Sequence, residues 1–127
     1  MNLRSPLARV RGSGSAMHGT SHWWQQKLTA IALVPLSIWF VASVVSLAGS
    51  HYERFQAWLA VPGNTTLMLL LLYCAFLHSQ LGLQVVIEDY VGGRGAKVAA
   101  TILVKLINVL LGVFAGVSVL RTALVGG

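Results

Sequence analysis

His78 lies near the middle of an apolar run long enough to cross a bilayer, and eleven residues later Asp89 and Tyr90 stand where that run meets water. An ionisable side chain at bilayer depth is costly unless something binds it, so it marks a functional site by default. With about 100° of rotation per residue, His78, Gly82, Val85 and Asp89 share one helix face at i, i+4, i+7 and i+11. Eleven steps of ~1.5 Å separate the imidazole from the carboxylate by ~16 Å along the axis. Gly82, one turn from His78, removes a side chain where a flat macrocycle or another backbone would approach. Two uses stay open: the imidazole ligates a metal or a haem iron, or it hydrogen-bonds a neighbouring helix while Gly82 permits close packing. One histidine cannot give an iron two axial imidazoles, so under the first use the second comes from another chain.

Asp89 and Tyr90 close the apolar run with an acid and a phenol. A phenol at the interface donates a hydrogen bond to a quinone carbonyl, and an adjacent carboxylate orients it or relays protons. The plainer account makes Tyr90 part of the aromatic belt and Asp89 a solvated helix end. In the segment SHWWQQKLTAIAL, His22, Trp23, Trp24 and Lys27 mark another interface. Tryptophans anchor at headgroups and a lysine snorkels to them; alternatively Lys27 and His22 face acidic groups of a bound cofactor. Gly112 and Gly116 form a G-x-x-x-G, a weak signal of close helix packing, and Lys105 is early enough in its run to snorkel. His51, Tyr52 and Trp58 read as interfacial residues of a connection.

These residues need apolar elements to position them, and the composition supplies them. Of 127 residues, 56% are hydrophobic and only 9% charged, with a mean hydropathy of +0.74. A soluble domain needs far more charge to cover its surface, so lipid is part of the solvent. The apolar runs are 28–47 (LTAIALVPLSIWFVASVVSL), 65–87 (TTLMLLLLYCAFLHSQLGLQVVI) and about 98–120. At ~1.5 Å per residue each spans the roughly 30 Å hydrocarbon core. Isolated strands would leave backbone groups unpaired in lipid, so helices are expected, at about 28–47, 65–90 and 98–122. Pro35 predicts a kink in the first. The expected fold is an all-α membrane protein of three transmembrane helices, residues 22–127, behind a basic mobile tail at residues 1–21.

The formal net charge of +6 does not argue for nucleic acid, because the basic residues lie outside or at the ends of the apolar runs, where they encode topology. Arg4, Arg9, Arg11 and Lys27 precede the first helix, and Arg94 and Lys97 lie in the second connection, with Lys105 just beyond. The other side offers only Arg54 and Arg121. The positive-inside rule therefore puts the N-terminus, Asp89 and Tyr90 on the inner side. The first run is too long and too far from Met1 for a cleaved signal peptide. The expected location is a bacterial cytoplasmic (inner) membrane rather than the mitochondrial inner membrane. Cys74 is the single cysteine, which excludes an internal disulfide; C-x-x-C-H is absent, as is any Cys/His cluster for zinc.

The run HSQLGLQVVIEDY, His78 to Tyr90, resembles the His-x10-Asp-Tyr signature of the small membrane-anchor subunits of succinate dehydrogenase, respiratory complex II. KLTAI, Lys27 to Ile31, at the entrance of the first helix extends the resemblance, which covers roughly residues 20–124. It implies a bundle completed by a second, larger anchor subunit, with an iron–sulfur subunit and a flavoprotein docked on the inner face. His78 would be one axial ligand of a haem b shared with that second anchor. Tyr90 would hydrogen-bond ubiquinone, with Asp89 supporting it, and Lys27 would stand near the haem propionates where the family often carries arginine. Lysine keeps that charge but loses the planar two-pronged geometry. Succinate oxidation would belong to the flavoprotein. A fumarate reductase-type anchor using menaquinone, and a non-redox membrane scaffold, are the alternatives.

Overall fold

The computed structural model describes the backbone of residues 6–126 and the side chains of residue 21 and residues 23–126. The described residues form four helices and no strand: α1 (Pro6–Leu47), α2 (Tyr52–Ala60), α3 (Pro62–Tyr90) and α4 (Arg94–Gly126). Three stretches are long and apolar enough to cross a membrane, namely Trp23–Leu47 within α1, and all of α3 and α4. The chain is an all-α membrane protein with three spanning helices. The N-terminal part of α1 runs through the basic stretch expected as a tail; residues 1–5 of that stretch lie outside the described residues. Helix α1 is continuous across Pro35.

Local chemistry accounts for the breaks. Gly49 takes φ +78° just after α1, the left-handed conformation that ends helices and that glycine adopts without steric cost. Pro62 lacks an N–H and biases Val61 toward extended backbone. Val61 accordingly sits at φ −64°, ψ 123°, ending α2 and preceding Pro62 at the start of α3. Gly93, at φ +84°, turns the chain into α4, and its carbonyl accepts the Lys97 N–H at 3.1 Å.

The short helix α2 was not expected from hydropathy, which registered only a connection with interfacial aromatics. It forms because its terminal carbonyls find donors in α3. Asn64 Nδ2 donates to the Trp58 carbonyl at 2.9 Å and the Thr65 hydroxyl donates to the Leu59 carbonyl. Both carbonyls are among those a helix end leaves unpaired. On its inner side α2 buries Leu59 with Met68 and Ala123, flanked by Trp39, Phe55, Trp58, Leu71 and Val119. Trp39 and Trp58 stack with ring centres 5.6 Å apart. This knot of side chains gathers α1, α3 and α4 at the end of the bundle opposite Tyr90.

Helix α3 is the middle element, with α1 and α4 each lying along it rather than along each other. Midway along α4, Asn108 Nδ2 donates to the Phe76 carbonyl of α3 at 2.8 Å and approaches Gln80 Oε1 at 3.4 Å. A part-buried amide at this depth needs such a partner, and the pair fixes the α3–α4 register. The two glycines of the G-x-x-x-G do different things. A Cβ on Gly112 would touch the Phe76 ring at 3.5 Å, whereas one on Gly116 would meet nothing within 4 Å. Only Gly112 is therefore a packing glycine. Gly112→Leu, which forces Phe76 aside, is expected to destabilise the purified protein by about 1–3 kcal/mol. Gly116→Ala should stay within about 0.5 kcal/mol. Denaturation midpoints in detergent check both, and equal midpoints would remove the Phe76 contact from the account.

Candidate functional site

Where α1 crosses α3, Thr29 meets His78. The Thr29 side chain is buried, at 6% exposure, and its Oγ1 lies 3.1 Å from His78 Nδ1. The same oxygen is 2.8 Å from the Gln25 carbonyl and 3.0 Å from the Gln26 carbonyl. A hydroxyl has one hydrogen and carbonyl oxygens only accept. If that hydrogen pointed at the imidazole, the lone pairs of Oγ1 would face two carbonyl oxygens at contact distance. The hydroxyl therefore donates back to its own helix, and the imidazole Nδ1–H donates to Oγ1. This tautomer is assigned from the network; it leaves the lone pair on Nε2, which makes no hydrogen bond among the described residues. An imidazole held by its Nδ1–H and free at Nε2 is in the state in which histidine ligates metals.

One turn along α3, Gly82 faces α1. A Cβ there would come 3.9 Å from the Gln26 side-chain amide. The Gln26 oxygen, Oε1, is buried without a hydrogen-bond partner. An orphaned acceptor in this medium is costly. The α1–α3 seam thus carries a half-buried imidazole with a free nitrogen, an absent side chain and an unsatisfied carbonyl within one helical turn. Among the described residues no group of three or more His, Cys, Asp or Glu is gathered for a metal ion. Any ion here would be held by His78 as a single protein ligand plus groups from elsewhere.

Asp89 and Tyr90 lie at the far C-terminal end of α3, away from the His78 seam. Tyr90 is 83% exposed, and Asp89 is exposed beside it. Their neighbour Glu88 accepts from Gln84 at 3.4 Å, whereas neither the Asp89 carboxylate nor the Tyr90 phenol has a hydrogen-bond partner among the described residues. They form a free acceptor and a free donor side by side.

Lys27 does not join His78. Its ammonium lies 4.1 Å from the centre of the Trp23 ring, a cation–π contact, and Trp23 meets Trp24 edge to face at 5.4 Å. The side chain of His22 lies outside the described residues. Thr29 and Gln26 were not singled out from the sequence. Their signal was faint: polar residues one place before and two places after Lys27, at the start of an otherwise apolar run. Thr29→Val deletes the acceptor of the imidazole N–H and should lower the unfolding midpoint by the equivalent of about 1 kcal/mol. Thr29→Ser, which keeps the hydroxyl, should recover most of it. Identical midpoints for all three would show that the contact carries no net stability.

Comparison with known proteins is consistent along nearly the whole chain. The sequence profile described as succinate dehydrogenase/fumarate reductase transmembrane subunit matches residues 1–119. A succinate dehydrogenase hydrophobic membrane anchor subunit of Rickettsia bellii is 32% identical over 109 residues, covering 86% of this chain and 87% of its own. The protein of the same description from Paracoccus denitrificans is 30% identical over 99 residues, covering 78% of this chain and 77% of its own. A succinate dehydrogenase membrane anchor subunit from Reclinomonas americana is 27% identical over 94 residues, covering 72% and 78% respectively.

Proposed function

The chain belongs to the family of succinate dehydrogenase and fumarate reductase transmembrane subunits, and from that membership and its geometry we propose that it holds haem b through His78 and forms part of a ubiquinone-reduction site with Tyr90 and Asp89. It is a membrane anchor subunit of the succinate dehydrogenase type. The observation that carries the haem reading is the Thr29–His78 contact at 3.1 Å, which leaves Nε2 with its lone pair available at membrane depth. Gly82, one turn along the same helix, supports it by keeping a side chain out of the seam near the ring. A second imidazole would have to come from the other anchor subunit, since this chain offers His78 alone at that depth.

Haem b, when bound, supplies one-electron storage between the iron–sulfur subunit and the quinone. The chain's own residues do the rest. His78 would ligate the iron, with Thr29 holding its ring. Lys27, near the same end of α1, would supply the positive charge that offsets propionates. At the end of α3, the Tyr90 phenol donates to a quinone carbonyl, which polarises it toward the electrons arriving from the iron–sulfur subunit. Reduction of a quinone to the quinol takes up two electrons and two protons, and Asp89 is the group beside Tyr90 able to pass protons from water. The distribution of Lys and Arg supports an inward-facing position for this end, which in a bacterial inner membrane is the cytoplasmic side, where the flavoprotein and iron–sulfur subunits would dock. The flavoprotein oxidises succinate. The relatives' names favour this direction over fumarate reduction with a menaquinone.

Two experiments test the reading separately. His78→Ala is expected to remove or strongly reduce the b-type signal in reduced-minus-oxidised spectra of the purified complex; an unchanged spectrum would strip His78 of its role. Tyr90→Phe is expected to lower succinate–quinone turnover at least tenfold, in line with the loss of a positioned acid–base group. Dye-coupled succinate oxidation should stay at the wild-type rate in the same preparation. Equal quinone turnover in wild type and variant would exclude Tyr90 from the quinone site.

A further inference from the structure

We propose that the cleft between α2 and the C-terminal turns of α4 is a binding site for the phosphate headgroup of an anionic phospholipid, with Arg121 as its principal contact. The cleft has a volume of about 290 Å³ and is lined by Tyr52, Gln56, Ser118, Arg121, Thr122 and Val125. It lies at the end of the bundle opposite Tyr90, at the mouth of a membrane-spanning helix.

Three observations select the ligand. First, the charged group of the cleft is a donor, Arg121. The hydroxyls of Ser118 and Thr122 are spent on their own helix, donating to the Phe114 and Ser118 carbonyls at 2.8 Å each. That leaves the Arg121 guanidinium, the Gln56 amide and the Tyr52 phenol to face a ligand. Arg121 has no ion-pair partner among the described residues, and a guanidinium presents a planar fork matched to phosphate oxygens. Second, an apolar track descends from Arg121 into the hydrocarbon layer. Val117, Phe114 and Leu110 stand four, seven and eleven residues before it on the same face, 49%, 70% and 69% exposed. An acyl chain covers such a stripe, whereas a free phosphate ion does not. Third, the cleft is held open by a close backbone approach. A Cβ on Gly126 would fall within 3 Å of the Gln56 backbone and side chain, so glycine lets the end of α4 seat against α2 and fixes the separation of Arg121 from Tyr52 and Gln56. A basic residue at the end of a spanning helix stands at headgroup depth, where its charge reaches lipid phosphates while its stem covers apolar surface. The proposal is independent of the haem and quinone readings.

The test uses the intact complex, purified in detergent as wild type, Arg121→Gln, Gln56→Leu and, as a control on the neighbouring exposed cation, Arg54→Gln. Each is stripped, then exposed to phosphatidylglycerol in phosphatidylcholine nanodiscs or to inorganic phosphate alone, and retained lipid is counted by native mass spectrometry. Wild type and Arg54→Gln should retain a phosphatidylglycerol that Arg121→Gln loses, with affinity down about tenfold. Gln56→Leu should weaken it by less. Equal retention in Arg121→Gln would overturn the proposal, as would inorganic phosphate competing the lipid off at matched concentration. Loss of the partner anchor from Arg121→Gln with lipid retention unchanged would also overturn it, by assigning the guanidinium to a protein contact.

Discussion

In a hydrocarbon medium every polar group must find a partner inside the protein, and the contact between Thr29 and His78 is where that constraint organises this molecule. The imidazole cannot be hydrated at that depth, so its N–H must go to another helix, and the buried Thr29 hydroxyl is the acceptor at 3.1 Å. The threonine can accept because its own hydrogen is committed to the α1 backbone. One hydrogen bond thereby couples the rotation of α1 to that of α3 and decides which ring nitrogen is left free. The proposed haem ligation depends on both consequences.

The same rule explains the rest of the bundle with different residues. Asn108 reaches the Phe76 carbonyl across the α3–α4 seam, and Asn64 and Thr65 satisfy the end of α2. A cluster of buried apolar side chains closes one end, around Leu59, Met68 and Ala123. The seam around His78 is held instead by polar contacts and close approach. Lipid supplies little hydrophobic drive for helices to associate, so packing and hydrogen bonds must do so. A tightly packed end joined to a looser, polar-lined seam keeps the helices together while leaving room beside Gly82. The exposure of large apolar side chains along α1 and α4 is ordinary for a chain whose surroundings are acyl chains and other subunits.

The two parts of the proposed electron path are spatially distinct on this chain, one half-buried and one exposed. His78 sits inside a seam and Tyr90 at a helix tip. Such a division suits a subunit that shares both sites with other chains: a buried ligand needs a second helix bundle to enclose it, and an exposed phenol needs a docked neighbour to shield it from water.

Much of this was legible in the residues. Long uncharged runs dictate spanning helices because backbone in lipid has no other solution, and a lone histidine with an acid and a phenol eleven and twelve residues on could be placed on one helix from the residue repeat alone. Helix ends were less legible. Pro62 and Arg94 begin α3 and α4 ahead of the apolar stretches, since helices run on into the headgroup layer where hydropathy is silent. Helix α2 escaped notice because its carbonyls are satisfied by side chains of the next helix rather than by its own sequence. Thr29 lies 49 residues from His78, and nothing local to either says that they meet. Hydropathy and spacing thus determined what must be buried in lipid and which residues share a helix face; only the tertiary structure decided which faces are opposed, because the relative rotation and register of packed helices depend on contacts such as Asn108 with Phe76, Gly112 with Phe76 and Thr29 with His78 that join distant parts of the chain.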